Sequence, residues 1–136
     1  MTIADTIFDK EFLTIYYEQE HKLLHLKWKG FANTDQFRDG LNFALEAVIE
    51  HHVENWLGNL KLMETILPND EEWASTVWFP KIAHSSIKKM GIVTSLDYFN
   101  NTSVKRIVNA VVPVINFETR YFVDVDQAKQ WLLNDL

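Results

Sequence analysis

Between Phe12 and Val48 the apolar residues change period once, and that change limits the fold more than any other feature of the chain. In Phe12-Leu-Thr-Ile-Tyr-Tyr-Glu18, the residues Leu13, Ile15 and Tyr17 alternate with Phe12, Thr14, Tyr16 and Glu18. After a polar turn at 19–21, Leu24, Leu26 and Trp28 alternate with His25, Lys27 and Lys29. A period of two with one apolar face marks half-buried strands, and two such runs across a short turn read as an antiparallel β-hairpin. The opposite face of this hairpin is largely polar, which leaves it facing water. From Phe37 the spacing becomes helical: Phe37, Leu41, Ala44, Leu45 and Val48 share one side, opposite Arg38, Asn42, Glu46 and Glu50. That stripe predicts an amphipathic helix of about four turns, with Thr34 as its N-cap.

The remainder alternates in the same way. Trp56–Met63 is a mostly apolar run that fits a buried strand. Pro68-Asn-Asp-Glu-Glu72 reads as a helix start with Asn69 as cap and acidic residues near the positive helix end. This helix carries Trp73 and Val77 and should end or kink at Pro80. Met90–Ser95 is a further strand, followed by a helix capped by Asn101 or Thr102 and ending near Pro113. Thr119–Val123 is the closing strand, and Asp124 with Gln127 opens a last helix through Ala128, Trp131 and Leu132. Strands alternating with helices imply right-handed crossovers and a mostly parallel sheet, with the hairpin as its antiparallel edge. The expectation is a single α/β domain over residues 1–136, with about four helices and with 1–10 as a loosely ordered lead-in.

Composition narrows the function classes. The 136 residues suit one domain, and the net charge of −6 disfavours binding to nucleic acid or to anionic membranes. There is no cysteine, which removes disulfides, thiolate metal sites and cysteine nucleophiles. The N-terminus lacks the basic start and apolar core of a signal peptide, and no stretch is long and apolar enough for a membrane span. A cytoplasmic location is the resulting expectation.

Several groupings resemble the SpoIIAA-like fold of STAS domains and of small bacterial STAS/SEC14 proteins of unknown function. Leu24-His-Leu-Lys-Trp-Lys-Gly30 is similar to that group's second strand. Glu72-Trp73 with Phe79-Pro80, then Ile87-Lys-Lys-Met-Gly-Ile-Val93, are similar to its middle helix and the next strand. Thr119-Arg-Tyr-Phe122 with Ala128 and Trp131-Leu132 are similar to its closing strand and helix. The resemblance spans nearly the whole chain and rests on packing residues, so it implies a fold and little function. Anti-sigma-factor antagonists of this fold carry an Asp-Ser pair, the serine being phosphorylated, at the start of a helix. The corresponding loop, Glu64-Thr-Ile-Leu-Pro-Asn-Asp70, has no serine, and Asn59 stands where small members often have Asp in the central strand. A phosphoserine switch is therefore not carried over.

No catalytic constellation emerges. The five histidines, His21, His25, His51, His52 and His84, lack metal-ligand spacing; His51 and His52 suit a helix C-terminus, and the others read as solvated. Asp70, Glu71 and Glu72 read as helix-start electrostatics, and the hydroxyl pairs Ser85-Ser86 and Thr102-Ser103 as caps. The four glycines are isolated, so there is no phosphate loop and no dinucleotide fingerprint. No catalytic residue, cofactor or metal is assigned. The group that stands out is aromatic. A single stripe can bury Trp73 and Val77, but Trp78 lies about 100° from Val77 around the helix, so Trp73, Val77, Trp78 and Phe79 cannot all share it, and Tyr98-Phe99 fall in the loop before the next helix. These six residues form the candidate contact or apolar-ligand surface. The leading expectation is a module acting by protein contact, as a homodimer. The alternative is a carrier of an apolar small molecule or lipid, and an enzyme is a third class with no motif behind it.

Overall fold

The computed structural model describes residues 3–134 and contains one six-stranded sheet in the order β1-β2-β3-β4-β5-β6. The strands are β1 (Asp5–Lys10), β2 (Leu13–Glu18), β3 (Leu23–Gly30), β4 (Asn55–Met63), β5 (Lys89–Val93) and β6 (Glu118–Phe122). β1, β2 and β3 pair antiparallel, and β3 to β6 pair parallel. The helices are α1 (Thr34–His51), α2 (Pro68–Trp73), α3 (Phe79–Ile82), α4 (Tyr98–Val111) and α5 (Val125–Leu133), with a π turn, Ala74–Trp78, joining α2 to α3. The parallel strands advance in one direction, so crossovers of one hand place α1, α2–α3 and α4 on the same face of the sheet.

That face holds the main core. Leu13, Ile15, Leu24, Leu26 and Trp28 are all buried and pack with Phe37 and Leu41, with Leu45 at the margin. The pairing expected from the two apolar periods is the one observed. Gly40 explains how closely α1 lies on the sheet: a Cβ there would stand 2.6 Å from Leu13 Cδ2 and 3.1 Å from the Trp28 ring. The other face is covered by α5, whose Ala128 and Leu132 pack on Leu23, Leu57 and Val93.

Several local expectations are corrected. Residues 5–10, read as a loose lead-in, form edge strand β1, and the Phe8 ring lies tilted against that of Phe43 at 4.9 Å. Residues 1–2 lie outside the described residues. Asn33, not Thr34, caps α1, in a reciprocal box in which Asn33 Oδ1 accepts from the Gln36 N–H and Gln36 Oε1 from that of Asn33. Thr34 instead donates to the buried Asp70, which also takes Arg38 at 3.1 Å, so this carboxylate ties α1 to α2. Leu67, not Asn69, precedes α2, because Pro68 already has the backbone angle of a first helical residue. Asp97 caps α4 through the Asn100 N–H, which moves Tyr98 and Phe99 from a loop into the first helical turn. Asp124 caps α5 with Gln127, as expected.

The polar face of the hairpin is also wetter on paper than in the molecule. Lys27 and Lys29 are exposed, but α5 lies over the Glu18–His25 end of the hairpin. Glu18 is buried there, accepting from Lys129 Nζ of α5 at 3.1 Å and within 3.3 Å of His21 Nδ1. His25 is not solvated: its Nε2 is buried with no partner among the described residues, and its ring lies 5.5 Å from Tyr16. Burial pushes its pKa down to about 4; the positive field of Lys129 adds to this and Glu18 opposes it. His51 stacks on Tyr17 at 4.4 Å, and His52 ends α1 in the left-handed region at φ 52°.

Candidate functional site

The six aromatic and apolar residues singled out from the sequence separate into two groups. Trp78 and Phe79 are core, at 1% and 9% exposure. Their rings meet edge to face at 5.0 Å, Trp78 meets Trp56 at 5.4 Å, and the Trp78 indole N–H donates to the Leu41 carbonyl at 2.8 Å. Val77, expected inside, is 38% exposed instead. The π turn accounts for the inversion. The Phe79 N–H reaches back five residues to the Ala74 carbonyl, which inserts one residue into the helix and rotates all that follows. Pro80 sits directly after this turn; it has no N–H to donate, and its ring crowds the carbonyl four residues back, a conflict the wider turn relieves. Trp73 is half-buried, edge-on to Phe37 at 6.2 Å, with the Arg38 guanidinium 5.1 Å from its ring.

Tyr98 and Phe99 are the exposed group, at 75% and 66%, with their rings edge to face at 5.5 Å. They stand at the carboxyl end of the parallel strands. Leu96 is 76% exposed in the turn just before them, and its N–H donates to the Lys61 carbonyl, which brings it beside Leu62, 52% exposed at the end of β4. Asn100, fully buried, braces the rim by donating from its side chain to the Glu64 carbonyl, and Ser95 does so by donating to the Met63 carbonyl. In open α/β sheets this is the end at which ligands and partners usually meet the fold. Leu62 and Leu96 were not foreseen; single leucines at strand ends carry no periodic signal.

Two spaces lie behind and beside the rim. An apolar cavity of about 80 Å³ sits between β4, β5 and the helices of the main face, bordered by Trp56, Gly58, Ala74, Trp78 and Phe79 among others. Gly58 has an ordinary backbone conformation, so its lack of a side chain serves space: a Cβ would lie 3.3 Å from the Trp56 indole nitrogen. Beside the cavity, a surface cleft of about 370 Å³ runs between the 64–67 connection and α4, lined by Thr65, Glu71, Phe99, Thr102, Ser103 and Arg106. Ile66 lines both spaces. Arg106 holds Glu71 in a two-pronged pair with both contacts at 2.9 Å, which keeps the Glu71 carboxyl below its usual range and raises Arg106.

The histidines do not gather: His84 pairs with Asn116 at 2.8 Å, His21 with Glu18, and His51 with Tyr17. Among the described residues no cluster of three or more His, Asp or Glu side chains is placed to hold a metal ion. The hydroxyl pairs are not helix caps either. Ser86 donates to the Val53 carbonyl, Thr102 to the Tyr98 carbonyl, and Ser103 accepts from Arg106.

A single α/β domain with a mixed six-stranded sheet, three helical crossovers on one face and a closing helix on the other defines the class. Within that class the fold is SpoIIAA-like. It matches the structure of an uncharacterised DUF3478-family protein with a SpoIIAA-like fold from Shewanella loihica PV-4, at a TM-score of 0.57 and 14% identity. The match covers 97% of this chain and 92% of that one. No family model matches the chain, and no curated protein is detectably similar. No described helix is long and apolar enough to cross a membrane.

Proposed function

We propose that the protein is a non-catalytic binding module that acts by protein contact, in the simplest case with a second copy of itself. One observation carries this reading: Tyr98 and Phe99 expose two large rings set edge to face at 5.5 Å at the carboxyl end of the parallel strands, where Leu62 and Leu96 are exposed as well. Single exposed apolar residues are ordinary, whereas two large rings exposed against each other on braced backbone favour an interaction surface. Tyr98 and Phe99 have the properties of anchor residues, since each offers a rigid apolar area with few rotatable bonds. A two-fold arrangement would let the same patch cover itself, which needs no further partner chemistry. Analytical ultracentrifugation of the wild type beside a Tyr98→Ser, Phe99→Ser double variant tests this. A concentration-dependent dimer that the variant lacks supports the reading. A wild type that stays monomeric throughout sinks the homodimer.

The apolar cavity favours a second reading, in which the module holds a small apolar ligand. Uptake of xenon, detected as shifts of the Gly58 and Ala74 amide signals by NMR, would support it.

A further inference from the structure

The cavity and the cleft share a wall. Ile66 belongs to the 64–67 connection, which has no regular structure, and its side chain is buried at 6% exposure between the two spaces. On its inner side the lining is wholly apolar in side-chain type apart from the tryptophan N–H groups, and that of Trp78 is spent on Leu41. A water needs about two to four polar partners, and a space with so few of them stays open to apolar groups. Its volume of about 80 Å³ is near half that of the roughly 150 Å³ engineered cavity that takes up benzene or xenon. It therefore suits the end of a slender unbranched chain better than a ring. Two glycine- and alanine-sized positions, Gly58 and Ala74, create the room, and the methionines Met63 and Met90 on its wall can adjust to an occupant.

On the outer side of Ile66 the chemistry changes. The cleft holds the hydroxyls of Thr65, Thr102 and Ser103 beside one charge pair, Glu71–Arg106; Thr102 already donates to the Tyr98 carbonyl and can still accept, and Ser103 already accepts from Arg106 and can still donate. The pair is neutral as a whole, so the cleft offers no net charge of either sign to match a charged head. An uncharged head that both donates and accepts hydrogen bonds needs no net charge opposite it. Depth and polarity thus change together across one residue.

We propose that the cavity and cleft together form one binding site for a single-chain amphiphile with an uncharged hydroxylic head. The chain end passes Ile66 into the space under the π turn, and the head remains among the hydroxyls of α4 and the 64–67 connection. This rests on the second of the two readings above. It assigns Gly58 and Ala74 to the chain, and Thr102 and Ser103 to the head.

The test uses NMR titration of the full-length protein with three probes: xenon, 1-octanol and octanoate. Xenon and 1-octanol should both shift Gly58 and Ala74, 1-octanol should also shift Thr102 and Ser103, and octanoate should bind at least about tenfold more weakly than the alcohol. Ala74→Leu, which fills the cavity, should remove both xenon and 1-octanol binding while circular dichroism stays native. Should that variant not fold, Gly58→Ala gives the same reading from the opposite wall. Xenon binding without 1-octanol binding would overturn the amphiphile site and leave the apolar-ligand reading intact. Loss of both probes from the wild type would overturn both. Octanoate binding more tightly than 1-octanol would overturn the assignment of an uncharged head.

Discussion

The two faces of the sheet are built on different terms. The main face is aromatic: Trp28, Phe37, Trp56, Trp78 and Phe79 are packed beneath the three helical crossovers, with the cavity among them. The α5 face is small. Its buried apolar set is Leu23, Leu57, Val93, Ala128 and Leu132, and alongside these Lys129 of α5 reaches Glu18 beside His25, whose Nε2 has no hydrogen-bond partner among the described residues. Lys89 completes the docking by donating to the Trp131 and Asn134 carbonyls at the end of α5. A face held by many large apolar contacts resists change as a unit, whereas one held by a few contacts around a part-buried charge pair can open locally. The difference suggests that global stability resides on the main face and that α5 is the element most easily released.

The largest effect should come from Trp78→Ala, which deletes the indole at the centre of the main face and leaves the Leu41 carbonyl without its donor. A loss of about 3–5 kcal/mol is expected in urea denaturation. A loss below about 1 kcal/mol would mean that the surrounding aromatics do not form a tight core, and the contrast between the faces would fail.

The α5 face should show itself through pH. His25 titrates near 6.5 in the unfolded chain and near 4 in the folded one, so between those values the unfolded state binds more protons. Stability from this group is complete above about pH 6.5 and is lost progressively as pH falls toward 4, by up to about 3 kcal/mol. Denaturation curves at pH 7.5, 6 and 5 should follow that slope in the wild type and lose most of it in His25→Leu. Hydrogen exchange should locate the first weakening at pH 5 in α5. An equal slope in the variant would assign the acid response to other groups.

Removal of the α4 cap should have a smaller effect. Asp97→Ala frees the Asn100 N–H at the start of the helix that carries the rim, at a cost of about 1 kcal/mol. Thermal unfolding measures it, and an effect near zero would mean that Ser95, whose Oγ accepts from the Asp97 N–H, holds this turn alone.

The main face was legible because two independent periodicities, in the hairpin and in α1, had to meet across one interface. The same evidence contained a hint of the second face that alternation in the hairpin concealed. Leu57 and Val93 belong to runs apolar on both sides, and a strand of that kind needs cover on both sides. His25 was misplaced for a related reason: its neighbours Lys27 and Lys29 are exposed, and only the docking of α5, a contact more than a hundred residues away in the chain, separates it from them. Trp78 and Val77 exchanged places because an even 100° step per residue holds only in a regular helix. The π turn at 74–78 has no dependable sequence signature beyond Pro80 behind it. Tyr98 and Phe99 were legible as an aromatic pair of uncertain cover; their exposure follows from Asp97 beginning the helix one turn earlier than Asn101 would have done.

The smallest effect on stability should fall on the part of the molecule that belongs to neither face. Tyr98 and Phe99 project from the first turn of α4 at the carboxyl end of the sheet, and they touch each other more than the core. Serine has a helix propensity close to theirs, so the Tyr98→Ser, Phe99→Ser double variant should unfold within about 0.5 kcal/mol of the wild type. The same variant should weaken self-association by about 2 kcal/mol, roughly thirtyfold in the dissociation constant, because anchors of this type carry most of the energy of an interface. Apolar side chains held in water by a braced backbone contribute almost nothing to folding, which is why folding stability and association should separate at this site. Denaturation and ultracentrifugation on the same samples measure the two quantities side by side. A variant that loses stability while associating as before would place Tyr98 and Phe99 in the core after all, and the rim would cease to be a candidate surface.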